Sequence, residues 1–169
     1  MNGAITWPLL RNRIRRGVVN HTFGMVRRNA DGSRRPHQGW DFEAGEGEEC
    51  YAIADGTIEI VRNVGAYGLQ IILRFDFDFD GDGKPDKLFA AYCHLSRVDV
   101  KQGDRVKRGQ LIGLTGNSGN ARSMKGADQH LHFEIRTVPL PGRGLVNRYS
   151  PLVVFGECPL ERPVGSMAP

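Results

Sequence analysis

Cysteine is scarce in this chain. Cys50, Cys93 and Cys158 make an odd count with no close pair, which excludes a disulfide framework and a cysteine-built zinc site. All three are expected as buried free thiols, since free cysteine behaves as a small apolar side chain; a Cys50–Cys93 bridge stays open. Long apolar runs are missing too. No stretch approaches the roughly 18 residues of a membrane-spanning helix. Near the N-terminus, Ile5–Leu10 is too short for the apolar core of a secretory signal, contains Pro8 and runs into Arg11, Arg13, Arg15 and Arg16. The expectation is synthesis in the cytoplasm without an ordinary export signal. Aromatic residues are only 8%, the Lys and Arg are scattered, and no nucleic-acid motif occurs, so nucleic acid is not an expected partner. The net charge of +4 fits a mildly basic surface or an acidic polymer as partner. No helical period lasts longer than two turns.

Glycine (22) and proline (9) are abundant and cut the 169 residues into short runs. Several runs are β-branched or aromatic and bounded by turn residues: Tyr51–Ala54, Gly56–Arg62, Leu69–Phe75, Lys87–His94, Gln110–Thr115 and His130–Thr137. Val98–Val106 reads as turns and one short strand. This spacing predicts an all-β, antiparallel sandwich or open barrel with few or no helices. Residues 1–20 read as a basic lead-in, 21–155 as the domain and 156–169 as a proline-rich tail. Residues 138–169 hold six of the nine prolines, so this end should wrap the domain in extended form and fray after about Gly165.

Chemistry concentrates at histidines. The run His130-Leu131-His132-Phe133-Glu134 alternates with period two, so His130 and His132 share one face while Leu131 and Phe133 share the other. Imidazoles about 7 Å apart along one face suit a metal ligand beside a catalytic group; the alternative is two surface histidines. His37-Gln38-Gly39-Trp40-Asp41 adds an imidazole and a carboxylate in a glycine-containing turn, or else a loop with an exposed histidine. His94-Leu95-Ser96 ends an apolar strand, where a histidine is usually structural.

Taken in order, His37–Asp41, His94–Ser96, Val100–Gly113, Gly116–Gly119 and His130–Glu134 resemble the motif series of the lysostaphin-type, LytM-like zinc metallopeptidases that cut peptidoglycan peptides. The resemblance covers about residues 20–155 and implies the LytM-like peptidase fold. It implies that His37, Asp41 and His132 bind zinc and that His94 and His130 act as catalytic histidines off the metal. Three ligands leave zinc an open position where water is acidified toward a pKa of about 7. One neutral imidazole can take the water's proton, and the other can steady the oxyanion or protonate the leaving amine. Which does which is open at this stage. Phe23-Gly24 fits a turn that precedes the first motif in the family, and His21 reads as structural or exposed, with a place in the lining of the substrate groove as the alternative. Tyr67 and Tyr92 read as core or rim residues, with approach to the substrate as the alternative.

Asp76–Asp86 departs from the family. Asp78, Asp80, Asp82 and Asp86 fall at positions 1, 3, 5 and 9 of a calcium-loop pattern with Gly83 at position 6, but Phe89 stands where an EF-hand has its Glu. The readings are a calcium clip on a hairpin or a solvated acidic loop. Two rivals remain. A biotinyl- or lipoyl-type carrier, suggested by Val100–Gly113 and Met124-Lys125, leaves every histidine unexplained. A catalytically silent peptidoglycan-binding or activator module would load zinc without turnover. The missing signal is compatible with an antibacterial effector or a phage lytic enzyme that reaches the periplasm or cell wall by a non-classical route, or with a fragment of a longer chain; a monomer is expected. An effector implies an immunity protein in the producing cell.

Overall fold

In residues 130–136 polar and apolar side chains alternate without a break: His, Leu, His, Phe, Glu, Ile, Arg. A strand of this pattern has two chemically different faces. The computed structural model, which describes residues 3–165, buries both of them. The frayed end expected after Gly165 lies outside the described residues.

Thirteen strands are described: β1 (Arg11–Asn12), β2 (Gly24–Arg28), β3 (Arg34–His37), β4 (Trp40–Glu43), β5 (Glu49–Tyr51), β6 (Gly56–Val64), β7 (Gly68–Phe77), β8 (Asp86–Val98), β9 (Arg105–Val106), β10 (Leu111–Thr115), β11 (His130–Arg136), β12 (Arg148–Tyr149) and β13 (Val164–Gly165). The one α-helix among the described residues, α1, is the short turn Leu152–Phe155. The pairings are antiparallel, as the turn spacing predicts. The main sheet runs β12-β11-β8-β7-β6-β9. β4 lies along the first half of the outer edge of β11, and β10 joins the far end of β8 to β5.

Two strand boundaries moved for visible reasons. β8 runs on through His94 to Val98, because beyond the kink at His94 it exchanges β11 for β10 as partner. The run expected at Tyr51–Ala54 is instead Glu49–Tyr51. After it the backbone bonds to loops, with Tyr51 N–H donating to Pro8 and Ala52 N–H to Gln110.

Leu131, Phe133 and Ile135 face the large core, together with Trp40, Phe42, Ile71, Leu73 and Tyr92. The opposite face carries a small apolar cluster of Ile72, Phe89, Ala91 and Cys93. Cys50 belongs to the large core and Cys93 to the small one; both are free thiols, so no bridge joins them. Cys158 is exposed rather than buried as expected. In its stretch the anchors are Pro159, whose carbonyl accepts the Ile14 N–H, and Leu160, which packs on the core.

The described parts of the lead-in and tail close over the large core. Leu9 and Ile14 are buried in it. Trp7 stacks on Phe155 with ring centroids 4.3 Å apart, and β1 pairs with β13.

Candidate metal centre

β4 lies beside β11 in a register that places Asp41 directly opposite His132. Directly opposed residues of an antiparallel pair project from the same face, so the two side chains meet. His37 arrives from the end of β3. The turn between them needs Gly39, because a Cβ there would fall 2.1 Å from the Phe133 carbonyl oxygen. That close approach explains the glycine in the His37–Asp41 motif.

The three predicted ligands converge and are buried. Asp41 Oδ1 lies 2.8 Å from His132 Nδ1 and 3.0 Å from His37 Nε2, and the two nitrogens are 3.3 Å apart. Each imidazole is oriented from behind. His37 Nδ1 donates to the Thr22 carbonyl at 2.8 Å, and His132 Nε2 donates to Glu134 Oε1 at 2.9 Å. These bonds leave the lone pairs of His37 Nε2 and His132 Nδ1 facing Asp41 Oδ1. Three converging acceptors repel unless a positive charge stands among them. A proton on His132 is one such charge: burial opposes it, but the bonds to Asp41 and Glu134 outweigh burial and raise its pKa to about 9. A cation is the other. Two nitrogens and one carboxylate oxygen with oriented outer atoms suit zinc and leave it an open position.

The surroundings extend the site. The outer oxygen of Asp41 accepts Arg27 Nη2 at 2.7 Å and His21 Nδ1 at 3.2 Å. Burial alone would raise the Asp41 carboxyl; its bonds with His132, His21 and His37 hold it well below the usual carboxylate range. His21 is buried, bonded to Asp41, and also lines the cleft. Behind His132, Glu134 is fully buried and accepts Arg136 Nε at 2.7 Å and Arg148 Nε at 2.8 Å on Oε2. The Tyr67 hydroxyl donates to Glu134 Oε1, and its ring stacks on His132 with centroids 5.4 Å apart. Tyr92 is a core residue, donating to the Tyr51 carbonyl.

His94 and His130 flank the triad with ring centroids 5.1 Å apart. His94 occupies the left-handed region, φ 61, a conformation rare and strained for a non-glycine residue. Its Nδ1 donates to the Ser118 carbonyl at 2.9 Å, which leaves Nε2 bare. Burial, followed by the neighbouring His132 and His130, pushes its pKa down to about 4. His130 is also lowered, chiefly by burial. Its Nδ1 lies 2.9 Å from the Asp128 carbonyl and 3.1 Å from Arg15 Nη1. Asp128 calls for a protonated Nδ1 and Arg15 for a bare one, so His130 can present either tautomer to the cleft.

These groups line an open cleft of about 700 Å³, with Val26, Arg27, Arg28 and Arg35 of the β2–β3 hairpin on one wall and Tyr67, His94 and Asn120 among the other residues. Sequence reasoning missed Arg15, Arg27, Arg136 and Arg148. Arg136 shares the period-two face of His130 and His132, so alternation alone could have found it. The other three arrive from distant segments and carry no local signal.

The Asp-rich loop joins β7 to β8 as a hairpin. Asp78, Asp80 and Asp86 bring carboxylate oxygens within 4.8 Å of one another. Asp82, the fourth residue of the expected set, is not within this group; its carboxylate accepts the Lys84 N–H at 2.8 Å. Asp78 also serves the turn, accepting the N–H groups of Gly81 and Gly83.

An antiparallel sheet carries a buried two-histidine, one-aspartate triad with two further imidazoles at its open side, the donor set of a candidate metal centre. Residues 35–146 match the model of Peptidase family M23, and the chain belongs to that family. It is 34% identical over 139 residues to an uncharacterized metalloprotease of Haemophilus influenzae, covering 76% of this chain and 26% of that protein. It is 33% identical over 100 residues to the peptidoglycan DD-endopeptidase ShyA of Vibrio cholerae, covering 59% of this chain and 20% of that protein. The chain therefore spans about a quarter or less of these relatives. Among solved structures it resembles a zinc-containing peptidase from Vibrio cholerae (TM-score 0.62, 28% identity, 85% of this chain and 41% of that one). It also resembles the catalytic domain of lysostaphin from Staphylococcus simulans (TM-score 0.57, 30% identity, 80% and 90%). The all-β, LytM-like architecture expected from the motifs is the one observed.

Proposed function

We propose that this chain is a zinc endopeptidase that hydrolyses peptide cross-links of bacterial peptidoglycan. The observation that carries this reading is the buried His37, Asp41 and His132 triad with His94 and His130 both turned toward it. Zinc held there supplies a Lewis acid that acidifies water and polarises the scissile carbonyl. The remaining chemistry belongs to side chains. His94, neutral and with a bare Nε2, takes the proton of the attacking water. His130, with Arg15 donating to Nδ1, presents Nε2–H to the oxyanion, and protonated His94 passes the water's proton on to the leaving amine. The Glu134, Arg136 and Arg148 cluster keeps His132 in the ligating tautomer. The substrate sets the place of action at the cell wall or periplasm.

The test is mass spectrometry of muropeptides from Gram-negative peptidoglycan digested with the zinc-loaded protein, with and without a chelator. The expected result is loss of cross-linked dimers and gain of monomers, abolished by chelation. An unchanged profile with zinc-loaded protein, on this wall and on glycine-bridged wall, would overturn the enzymatic reading in favour of a silent binder or activator.

A further inference from the structure

The Gly116-Asn117-Ser118-Gly119 motif carries no imidazole, carboxylate or thiol, yet it packs beside the one histidine that strand parity misplaces. Along β8, Leu88, Ala90 and Tyr92 point into the large core, and Phe89, Ala91 and Cys93 onto the opposite face. Parity would therefore send His94 into the large core. Instead Leu95 takes that place and His94 lines the cleft. The register gives the cause. Ile71 lies opposite Tyr92 and Leu69 opposite Leu95, so three steps of β8 face two of β7. The extra residue makes a β-bulge, which interrupts the ladder and re-aims a side chain. His94 takes up the turn with its left-handed backbone, φ 61. Such a conformation persists only where the surroundings over-determine it.

Ser118 supplies those surroundings. Its carbonyl accepts His94 Nδ1–H at 2.9 Å. Its hydroxyl accepts the Leu69 N–H at 3.0 Å and donates to the Leu95 carbonyl at 2.8 Å. One side chain thus links the two residues at which the β7–β8 pairing changes register. A hydroxyl suits this position because it donates and accepts at once. The flanking glycines allow the approach: a Cβ on Gly116 would fall 2.6 Å from the Ser96 nitrogen, and one on Gly119 2.3 Å from the Ala66 carbonyl oxygen. We propose that Ser118 is a positioning residue for His94. Its hydroxyl holds the bulge open, and its carbonyl holds the imidazole with Nε2 bare toward the cleft. Without the hydroxyl, Leu69 and Leu95 can bond each other directly, the extra residue is no longer fixed, and His94 loses its aim at the triad. This deepens, and rests on, the endopeptidase reading above, in which His94 takes the proton of the attacking water.

The test compares the zinc-loaded parent with Ser118→Ala and Ser118→Thr. Threonine keeps the hydroxyl and suits the extended backbone at residue 118, φ −66 and ψ 164. Hydrolysis of cross-linked muropeptides gives kcat and KM, and nitrogen-15 NMR at neutral pH reports the His94 ring. Zinc content and the thermal midpoint report that each variant is folded. Ser118→Ala is expected to lower kcat about 10–100-fold, part of the roughly 100–10,000-fold that a positioned base contributes, with KM and zinc content unchanged. It should also lose the hydrogen-bonded Nδ1–H signal of His94. Ser118→Thr should restore both. In a His94→Ala background, Ser118→Ala should cost no further rate, because residues acting as one unit are not additive. An alanine variant that keeps the parental kcat or the Nδ1–H signal overturns the proposal. So does a loss that threonine leaves unrepaired, or one that adds in full to that of His94→Ala. If the parent cleaves nothing, the endopeptidase reading fails, while the Nδ1–H signal still decides whether Ser118 holds His94.

Discussion

The His37, Asp41 and His132 cluster and the Asp78, Asp80 and Asp86 cluster each bring three ligand-type side chains within 4.8 Å of one another. The first is buried and assembled from the end of β3, from β4 and from β11. The second sits on one hairpin loop, partly or fully exposed. In the first, atoms behind the ligands are committed to Thr22, Glu134, Arg27 and His21, and the ligating atoms have only one another. In the second, local N–H groups satisfy Asp78 and Asp80, while Asp86 keeps one buried oxygen without a hydrogen-bond partner among the described residues. Proximity is the same, but only the first cluster is buried throughout, where a proton on His132 is the alternative to a cation. Burial, more than spacing, makes a cluster a strong metal centre.

The sharpest way to break this contrast is to remove a ligand. Asp41→Ala and His132→Ala are each expected to lose zinc, read by elemental analysis. Each should also lower peptide hydrolysis about a thousandfold, the rate equivalent of several kcal/mol of Lewis-acid stabilisation. A variant that retained one zinc per chain would refute the ligand assignment.

Next in size is the support behind the ligand. Glu134→Ala leaves Arg136 and Arg148 buried without their carboxylate. Removing one partner of a buried pair costs about 3–5 kcal/mol, measurable by urea unfolding. Loss of the acceptor behind His132 should weaken zinc about 10–100-fold, measurable by competitive titration. Unchanged zinc affinity would make the cluster purely structural.

A smaller effect concerns pH. The folded pKa of His94 is pushed down to about 4, below the ordinary value of about 6.5. A base must be neutral to work, so its contribution is complete above 6.5 and is lost only as pH falls toward 4. At fixed zinc occupancy, hydrolysis at pH 5.5 should stay within about threefold of that at pH 7. An acid limb centred near 6.5 would remove His94 from the proton-transfer step.

The smallest effect is expected at the exposed cluster. Asp78→Asn should leave zinc content unchanged. Millimolar calcium should raise the thermal midpoint of the parent by no more than about 2–4 °C, as a weak extracellular-type site of about 1 kcal/mol would. A larger shift, abolished in Asp78→Asn, would place the loop among strong calcium sites and erase the contrast.

Period-two alternation identified β11, and with it the shared face of His130 and His132, because a strand's side-chain direction depends on sequence parity alone. β6, β7 and β8 were legible as β-branched or aromatic runs between turn residues. Both signals missed the β2–β3 hairpin. Its Asp31-Gly32 pair is a hairpin turn signal, but Pro36 and four arginines gave the flanks little strand character. β4 was read as a motif, although Trp40 and Phe42 alternate with Asp41 and Glu43 as a strand should.

The chain's own residues therefore determine which side chains carry the chemistry. An imidazole or carboxylate has its ligating atoms whatever surrounds it, and motif order and parity place those atoms on common faces. What lies beyond neighbouring residues was decided by the tertiary structure alone. Strand register set Asp41 opposite His132. Pairing of β12 with β11 brought Arg148 to Glu134. The lead-in carried Arg15 to His130 across 115 positions, and the β2–β3 hairpin lined the cleft with Arg27, Arg28 and Arg35. The physical reason is that charge state, tautomer and desolvation are properties of a surrounding volume. That volume is filled by segments whose meeting depends on the packing of both sheet faces at once.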